Sequence, residues 1–277
     1  MTALPTVLKL GGELLEDAAA VASAAAALVR LGAREPLVVV HGGGRAIDAE
    51  LRSRGEEPRF VDGLRVTDAA ALDAVISVLA GRNNTALVAA IGASGGRAVG
   101  LTGADGFVGR SARADTLTTV SGERVDLGLV GQPDRPDVSL LRELMALGYI
   151  PVIASIGITT AGDLLNVNAD TLAGHLAGAV GARRLIIAGA TKGVLGSDGQ
   201  TIANLTPDDI DRMTGSGEAH SGMVAKLAAC RRALDAGVHE VAIVSGRHVS
   251  DFDAALGTRI ALPASASGRP SSRAQGR

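Results

Sequence analysis

Two glycine turns near the start of the chain have the residue types to hold a phosphate. The first, KLGG, covers residues 9–12, and the second, HGGG, covers residues 41–44. A glycine turn between a strand and a helix lets backbone N–H groups approach an anion, and the helix dipole adds about half a positive charge there. One such turn is equally consistent with tight turn geometry alone. Two turns after successive strands favour a phosphate site, because open α/β sheets bind ligands at the carboxyl ends of their strands.

Lys9 has the clearest chemical role in these turns. It is the penultimate residue of the apolar segment TVLKL (6–10), where a buried ammonium group is unfavourable. We expect its head group to emerge beside the glycine turns and to neutralise charge on a phosphoryl group in transfer. The alternative is an edge-strand lysine whose stem lies on apolar surface while its head stays in water. Neither turn matches a P-loop or a dinucleotide-binding fingerprint.

The segments that position these turns alternate between apolar strands and helices. A fully apolar strand such as PLVVVH (36–41) is typical of a parallel sheet that helices cover on both faces, so the pattern predicts an α/β fold. Asp17 and Thr67 are predicted helix caps. Between residues 107 and 131 the alternation around Ser121 and Gly122 predicts a β-hairpin. The later predicted strands are 97–103, 149–155, 184–188, 240–245 and 258–262, and the later predicted helices are 68–91, 137–147, 169–180 and 221–236.

Composition narrows the class of protein. The chain has 277 residues, of which 47% are hydrophobic, with one tyrosine, three phenylalanines and no tryptophan. Few aromatic side chains and a net charge of −2 argue against a nucleic-acid partner. A single cysteine, no leader pattern and no stretch near the roughly 20 apolar residues of a membrane span predict a cytoplasmic protein without a membrane partner. The five histidines lack the spacing of metal ligands, and residues 264–277 are expected to be a disordered tail.

Six motifs occur in an order that resembles the amino acid kinase family. They are KLGG, HGGG, DGLRVT (62–67), LTGADG (101–106), NVNAD (166–170) and SGMVAK (221–226). The resemblance covers residues 7–262 and is strongest to the branch that phosphorylates N-acetyl-L-glutamate. It implies an open, mainly parallel αβα sandwich with a β-hairpin excursion. It also implies that residues 1–180 bind the amino acid and carry the dimer contact, whereas residues 181–263 bind ATP.

The same resemblance implies a role for each site residue. Lys9 and Lys226 would lie on either side of the γ-phosphoryl group of MgATP, and Asp170 would organise the two lysines, cap the following helix, or do both. The acceptor carboxylate is ionised near neutral pH, so the reaction needs no general base. Backbone N–H groups of Gly11, Gly12, Gly43 and Gly44 would donate to the transferred charge. Substrate contacts are implied for Gly43, Gly44, Arg65 and Asn166, and ATP contacts for Gly11, Gly12, Lys192, Gly193, Gly222 and Met223.

On the nucleotide side the chain departs from the family pattern. Ala190 stands where an acidic residue is usual, and Lys192, two positions later, is the implied phosphate contact instead. Segment 215–223 is expected to close over the nucleotide because its glycines suit a mobile lid, although Ser221 replaces a usual glycine. Mg²⁺ is expected to arrive with ATP and to be held mainly by its phosphates.

Alternative functions share this fold. The acceptor of the reaction is an aminoadipate derivative, glutamate, carbamate or UMP in related kinases, and a non-catalytic amino-acid or nucleotide sensor would use the same scaffold. The intact HGGG and GLRVT motifs favour N-acetyl-L-glutamate, and the two lysines with Asp170 favour an enzyme.

Oligomeric state is predicted from the start of the chain. The family resemblance implies that arginine-inhibited members are hexamers linked by an extra N-terminal helix. Only five residues precede the strand at Thr6 in this sequence, which is too short for such a helix. The sequence therefore predicts a homodimer that arginine does not inhibit. Its expected contact is formed by the helix after HGGG and by helix 68–91.

Overall fold

The computed structural model describes residues 3–114, 116–118, 122–216 and 221–261. The strands are β1 (Thr6–Leu10), β2 (Leu37–His41), β3 (Phe60–Val61), β4 (Leu64–Arg65), β5 (Ala98–Thr102), β6 (Ser111–Arg113), β7 (Leu117–Thr118), β8 (Arg124–Val125), β9 (Val130–Pro133), β10 (Ile150–Ala154), β11 (Ile156–Ile158), β12 (Leu164–Val167), β13 (Arg184–Gly189), β14 (Asn204–Leu205), β15 (Glu240–Ser245) and β16 (Gly257–Ala261). The helices are α1 (Ala18–Gly32), α2 (Gly44–Ser53), α3 (Ala69–Ile76), α4 (Asn84–Ala93), α5 (Ser139–Ala146), α6 (Ala169–Val180), α7 (Pro207–Gly215) and α8 (Ser221–Asp235). A π-helical segment, Ser77–Asn83, joins α3 to α4, and Gly12–Leu14 and Asp105–Phe107 are short 3₁₀ turns.

Within the described residues, eight strands form the main sheet in the order β14-β16-β15-β13-β1-β2-β10-β5. Neighbouring strands run parallel except β15 and β16. Strand β1 lies between β13 and β2, with Lys9 level with Ile187 and Val40. The predicted open, mainly parallel sheet is confirmed. Its order brings the carboxyl ends of β1, β2 and β13 together at one edge.

Helices cover both faces of this sheet. Successive side chains of a strand point to opposite faces. Val7 therefore packs in the core cluster that contains the buried side chains of α6 and α8, whereas Leu8 packs in the cluster of α1 and α4. Lys9 is two residues beyond Val7 and points to the face of α6 and α8, which decides the residues that it meets.

A second, smaller sheet combines β6 and β9, from the excursion between β5 and α5, with β11 and β12, which follow β10. Its strands follow the order β11-β12-β9-β6, and β7 pairs antiparallel with β8. The predicted hairpin is confirmed by the pairing of Leu117 with Val125 and of Thr118 with Arg124. The tip of that hairpin includes residues 119–121, which lie outside the described residues, as does the tail predicted at 264–277.

Two predicted helix caps belong to neighbouring residues. Asp17 caps α1 as predicted, since its side chain accepts the N–H of Ala20. Helix α3 is capped by Asp68 rather than by Thr67, whose backbone bridges to Gly128. Helix α6 is capped by Asn168, which accepts the N–H of Thr171, so Asp170 lies in the first helical turn and its carboxylate is left for other contacts.

Among the described residues, one helical run, Ala69–Ala93, is long and apolar enough to cross a membrane by length and composition alone. The expectation that no stretch reaches that length is therefore wrong. The helical core of a folded domain passes the same test, and this run carries polar side chains into the interior. Asn84 is 5% exposed, and its amide donates to the carbonyl oxygen of Val152 at 2.9 Å.

Candidate active site

The two glycine turns meet because β1 and β2 are neighbouring parallel strands. A Cβ atom on Gly12 would lie 2.6 Å from the Cα of Gly43, so the turns pack backbone against backbone. A Cβ atom on Gly44 would meet nothing within 4 Å, which leaves open space at the start of α2. The first N–H groups of a helix have no partner within the helix. The edge where both turns end therefore offers donors to an anion.

The backbone N–H group of Gly11 takes part in the main sheet rather than facing a ligand. This group donates to the carbonyl oxygen of Ala188 at 2.8 Å and continues the ladder between β1 and β13. The prediction that Gly11 donates to a transferred phosphoryl group does not hold in this structure, because its hydrogen is already engaged. Its missing side chain matters instead, since the carboxylate of Glu13 occupies that space.

One buried carboxylate joins the two predicted catalytic lysines. The Nζ atom of Lys9 lies 2.9 Å from Oδ1 of Asp170, and the Nζ atom of Lys226 lies 3.3 Å from Oδ2. Burial alone would raise the pKa of Asp170, but the two ammonium groups hold that pKa below its usual value. The three residues come from β1, α6 and α8, and the structure brings them together as the sequence predicts.

A cavity of about 650 Å³ opens beside this trio, and we call it the acceptor cavity because the residues predicted to contact the acceptor line it. Its apolar wall includes Leu64, Leu79, Leu127 and Val130. A few polar groups in a mostly apolar wall are typical of a small-molecule site. The sequence-predicted residues that line it are Lys9, Gly12, Gly43, Gly44, Arg65, Asn166 and Asp170.

Arg65 is the cation on the far side of that cavity. The residue is 9% exposed, its Nη2 atom lies 2.5 Å from Asp48 Oδ1, and its guanidinium lies 4.6 Å from the centre of the Phe60 ring. Its Nη1 atom is buried and has no hydrogen-bond partner among the described residues. Asp48 was missed by sequence reasoning, although it follows the HGGG turn by one helical turn. The ion pair with Asp48 and the contact with the Phe60 ring hold the guanidinium in this orientation.

Asn166 is fixed on the same wall by a short chain of hydrogen bonds. Its Nδ2 atom donates to the hydroxyl of Thr67 at 3.0 Å, and that hydroxyl donates to the carbonyl oxygen of Arg65 at 3.1 Å. Asn166 itself lines the cavity. The GLRVT and NVNAD motifs, which are about 100 residues apart in the chain, are thereby tied together.

His41, the first residue of HGGG, lies beneath the glycine turn in the core. It is fully buried, and its Nε2 atom lies 3.1 Å from Nδ2 of Asn84. Burial lowers the pKa of His41 to about 4, so the ring is neutral at physiological pH. A neutral ring accepts the Asn84 hydrogen at Nε2 and carries its own hydrogen at Nδ1, which faces the Gly42 carbonyl.

A second cavity, of about 860 Å³, is called the nucleotide cavity here because several of the residues predicted to contact ATP line it. Of the predicted ATP residues it is lined by Gly193, Gly222 and Met223, and Lys226 forms part of its wall. Lys226 therefore faces this cavity while its ammonium group contacts Asp170, which lines the acceptor cavity. The trio stands at the junction of the two cavities.

Of the predicted ATP residues, Gly11 and Lys192 line neither of the two cavities. The side chain of Lys192 is exposed, next to Gly193. At the neighbouring Ala190, the N–H group donates to Oε1 of Glu13 at 2.8 Å, a contact that sequence reasoning missed. Within the predicted lid, residues 217–220 lie outside the described residues.

No group of three or more His, Cys, Asp or Glu side chains that could hold a metal ion occurs in the described part of the chain. Glu13 and Asp170 are the carboxylates that line the acceptor cavity.

Comparison with known proteins places this architecture in one class. The sequence model of the amino acid kinase family matches residues 5–245. The chain therefore belongs to the amino acid kinase family, and ATP is the phosphoryl donor that this membership implies.

Curated relatives within that family carry a more specific name. A protein of Novosphingobium aromaticivorans named acetylglutamate kinase is 42% identical over 219 residues, which cover 76% of this chain and 72% of the relative. A protein of Erythrobacter litoralis with the same name is 40% identical over 247 residues, or 87% and 82% of the two chains. Among solved structures, N-acetylglutamate synthase from Neisseria gonorrhoeae superposes with a TM-score of 0.81 at 23% identity, over 95% of this chain and 61% of that one. That likeness shows the fold.

Proposed function

We propose that this chain transfers the γ-phosphoryl group of ATP to the side-chain carboxylate of N-acetyl-L-glutamate, a step of arginine biosynthesis. The names of the curated relatives support the acceptor. The observation that carries the proposal is the buried carboxylate of Asp170, which holds Lys9 and Lys226 at the junction of two cavities. A phosphoryl group that passes from one cavity to the other passes these two ammonium groups.

The proposed reaction needs positioning and charge neutralisation rather than proton transfer. An oxygen of the acceptor carboxylate forms a bond to the γ-phosphorus as the bond from that phosphorus to the β,γ-bridging oxygen breaks. The products are N-acetyl-L-glutamyl 5-phosphate and ADP, and no proton has to move. Lys9 neutralises charge on the transferred group, and Lys226, which faces the nucleotide cavity, neutralises charge on the leaving group. Asp170 keeps the two cations in place.

The acceptor is proposed to bind with its two carboxylates at opposite ends of the smaller cavity. The unpaired Nη1 atom of Arg65 suits the α-carboxylate, and the side-chain oxygen of Asn166 suits the acetamide N–H. The N–H groups at Gly43 and Gly44 suit the reacting carboxylate and the phosphoryl group beside Lys9. The leucines and valines of the wall suit the aliphatic chain and the acetyl methyl group.

ATP is proposed to lie in the larger cavity with its phosphates toward Lys226, in contact with Gly12, Gly193, Gly222 and Met223. The donor set of the chain fits a Mg²⁺ ion that ATP carries, since the described carboxylates at this edge are single rather than clustered. When bound, Mg²⁺ neutralises charge on the β- and γ-phosphates. Residues 1–180 are accordingly proposed as the acceptor-binding lobe and residues 181–263 as the ATP-binding lobe.

A cytoplasmic homodimer without arginine inhibition completes the proposal. Exposed positions of α2, α3 and α4 include small side chains such as Ala69, Ala86 and Ala89, which allow two helices to approach closely. Light scattering with and without arginine, in parallel with the kinase assay, tests both parts. A hexamer, or clear inhibition by arginine, would contradict them.

The acceptor is tested by ADP release in a coupled assay with N-acetyl-L-glutamate, L-glutamate, L-aspartate and UMP as separate acceptors. We expect release only with N-acetyl-L-glutamate, and, when hydroxylamine is added, a hydroxamate formed from its acyl phosphate with loss of phosphate. Preference for another acceptor would replace the acceptor assignment. No release with any of them would favour a sensor.

A further inference from the structure

The carboxylate of Glu13 lies at the edge of the main sheet where the two glycine turns end, which is where the proposed function places the phosphates. Its Oε1 atom accepts the N–H of Ala190 at 2.8 Å. Both carboxylate oxygens lie 2.5 Å from the point where a Cβ of Gly11 would be, and Oε1 lies 3.0 Å from the same point at Gly189. The carboxylate therefore fills the space between the ends of β1 and β13, and it fits there because the residue after β1, Gly11, and the last residue of β13, Gly189, have no side chain.

Glu13 places a negative charge, which no cation of the described residues neutralises, at an edge that otherwise suits anions. Glu13 lines the acceptor cavity together with Lys9, but the ammonium group of Lys9 is held by Asp170. Glu13 has no ion-pair partner in the described part of the chain, and its Oε2 atom has no hydrogen-bond partner there. A free carboxylate beside a polyphosphate is repelled by it, by about 1 kcal/mol or more per pair of charges at contact distance. A cation between the two removes that repulsion.

We propose that Glu13 positions the divalent cation that enters with ATP. The inference rests on the proposed function, because it assumes that the nucleotide phosphates reach this edge. Mg²⁺ is commonly bound through one or two carboxylates together with substrate phosphates, and it keeps several waters. The Ala190 N–H group fixes one carboxylate oxygen and leaves Oε2 to face the cation or one of its waters. Ala190, which stands where the family usually has an acidic residue, has no side-chain group that could contact the cation.

A purely structural role for Glu13 makes a different prediction from a role toward the cation. If the residue only ties the β13 loop to the β1 turn, its hydrogen bond to Ala190 matters and its charge does not. Glu13→Gln keeps an acceptor oxygen and removes the charge, whereas Glu13→Ala removes both. The two substitutions therefore separate the two roles.

Glu16→Gln is the matched control. Glu16 belongs to the same connection between β1 and α1, and its carboxylate pairs with Arg45 on the surface. It lines neither of the two cavities. This substitution removes the same charge from the same segment without touching the contact with Ala190.

The test is a titration of Mn²⁺ into the full-length protein with a non-hydrolysable ATP analogue, read from the electron paramagnetic resonance of free Mn²⁺. We expect Glu13→Gln and Glu13→Ala both to weaken Mn²⁺ binding in the complex by about 10-fold or more, the usual effect of losing a group that supports a metal. Glu16→Gln should bind Mn²⁺ as the unaltered protein does. Binding of the analogue without metal should be unchanged or tighter in both Glu13 variants.

Two results would overturn the inference. In the first, Glu13→Gln binds Mn²⁺ like the unaltered protein and Glu13→Ala alone is impaired. Glu13 would then act only through its hydrogen bond to Ala190, which connects the β13 loop to the β1 turn. In the second, the unaltered protein holds no more Mn²⁺ with the analogue than the analogue does alone. The titration contains no acceptor, so a wrong acceptor assignment fails in the ADP-release assay and leaves this measurement intact.

Discussion

Lys9 and Asp170 form a buried ion pair at the centre of the molecule, with 2.9 Å between Nζ and Oδ1 and side chains that are only 8% and 7% exposed. Lys226 reaches the other oxygen of the same carboxylate. One buried anion thus sets the distance between two cations that would otherwise repel each other. The positive charge is in place before any substrate binds, which is the condition for stabilising a transition state without reorganisation.

Lys9→Ala and Lys226→Ala are each expected to lower kcat far more than they raise either KM, because each charge matters most while the phosphoryl group is between oxygens. The loss should be about 3 kcal/mol or more, or roughly a hundredfold in rate. Steady-state ADP release with both substrates varied measures it. Arg259→Ala, which removes an exposed cation paired with Glu240, is the control. An unchanged kcat in either lysine variant would contradict the assignment.

Arg65→Ala should raise the KM for N-acetyl-L-glutamate and leave the KM for ATP unchanged. A hydrogen bond to a charged group contributes about 1.5–3 kcal/mol, so the increase should be between roughly 10-fold and 150-fold. Arg65→Lys should recover little of the loss, because it keeps the charge without the planar fork. Arg59→Ala is the control, since this exposed arginine beside the same hairpin pairs with Asp68. Equal increases in both KM values would count against a contact with the acceptor.

Gly12→Ala and Gly44→Ala should distinguish a glycine needed for close backbone packing from a glycine needed to leave space for a ligand. The methyl group at Gly12 would meet the backbone of Gly43, which cannot give way easily, so we expect a loss of about 1–3 kcal/mol in the free energy of unfolding. The methyl group at Gly44 has open space, so that variant should keep its melting temperature and lose activity because the methyl group enters the cavity. Thermal unfolding and kinase assays measure the two effects. A fully active Gly44→Ala variant would show that no ligand approaches this backbone.

Sequence patterns predicted seven of the eight described strands of the main sheet, all but β14, and most helices, and the family resemblance supplied the residues of the central trio. Apolar strands and glycine turns are local signals. They were enough to predict β1, β2 and a site for an anion at the carboxyl ends of these strands. A further signal lay in the cations: the chain has three lysines, Lys9, Lys192 and Lys226, and every other basic position is arginine. A chain that prefers arginine so strongly keeps lysine where a compact point charge is useful. The structure places two of those three at the junction of the cavities.

The contacts that sequence reasoning missed depend on which strands are neighbours. Glu13 meets Ala190 across 177 residues of chain because β1 pairs with β13, and no local pattern specifies that order. Asp48 follows HGGG closely, but its partner Arg65 reaches it only after the β3–β4 hairpin folds back over α2. The cap of α6 was misplaced by two residues for a local reason, since NVNAD contains three residues able to cap a helix.

His41 should make the stability of the protein depend on pH between about pH 6.5 and pH 4. Burial lowers the pKa of His41 from 6.5 to about 4, so the unfolded chain takes up this proton at a higher pH than the folded protein. The folded state is therefore fully favoured above pH 6.5 and loses stability as the pH falls through this window. At about 1.4 kcal/mol per pH unit, the loss attributable to His41 approaches roughly 3 kcal/mol near pH 4.

Urea unfolding at several pH values from about 7.5 to 5 separates the effect of the histidines from that of Asp170, because Asp170, whose pKa is lowered from 3.8, titrates only below that range. We expect the slope of the unfolding free energy against pH to fall by close to one proton in His41→Gln. The pKa of His175 is also lowered from 6.5 to about 4, chiefly by burial, so His175→Gln should lower the slope by a similar amount and the double variant by close to two protons. If His41→Gln kept the slope of the unaltered protein, the buried proton site beneath the HGGG turn would have to be assigned to another group.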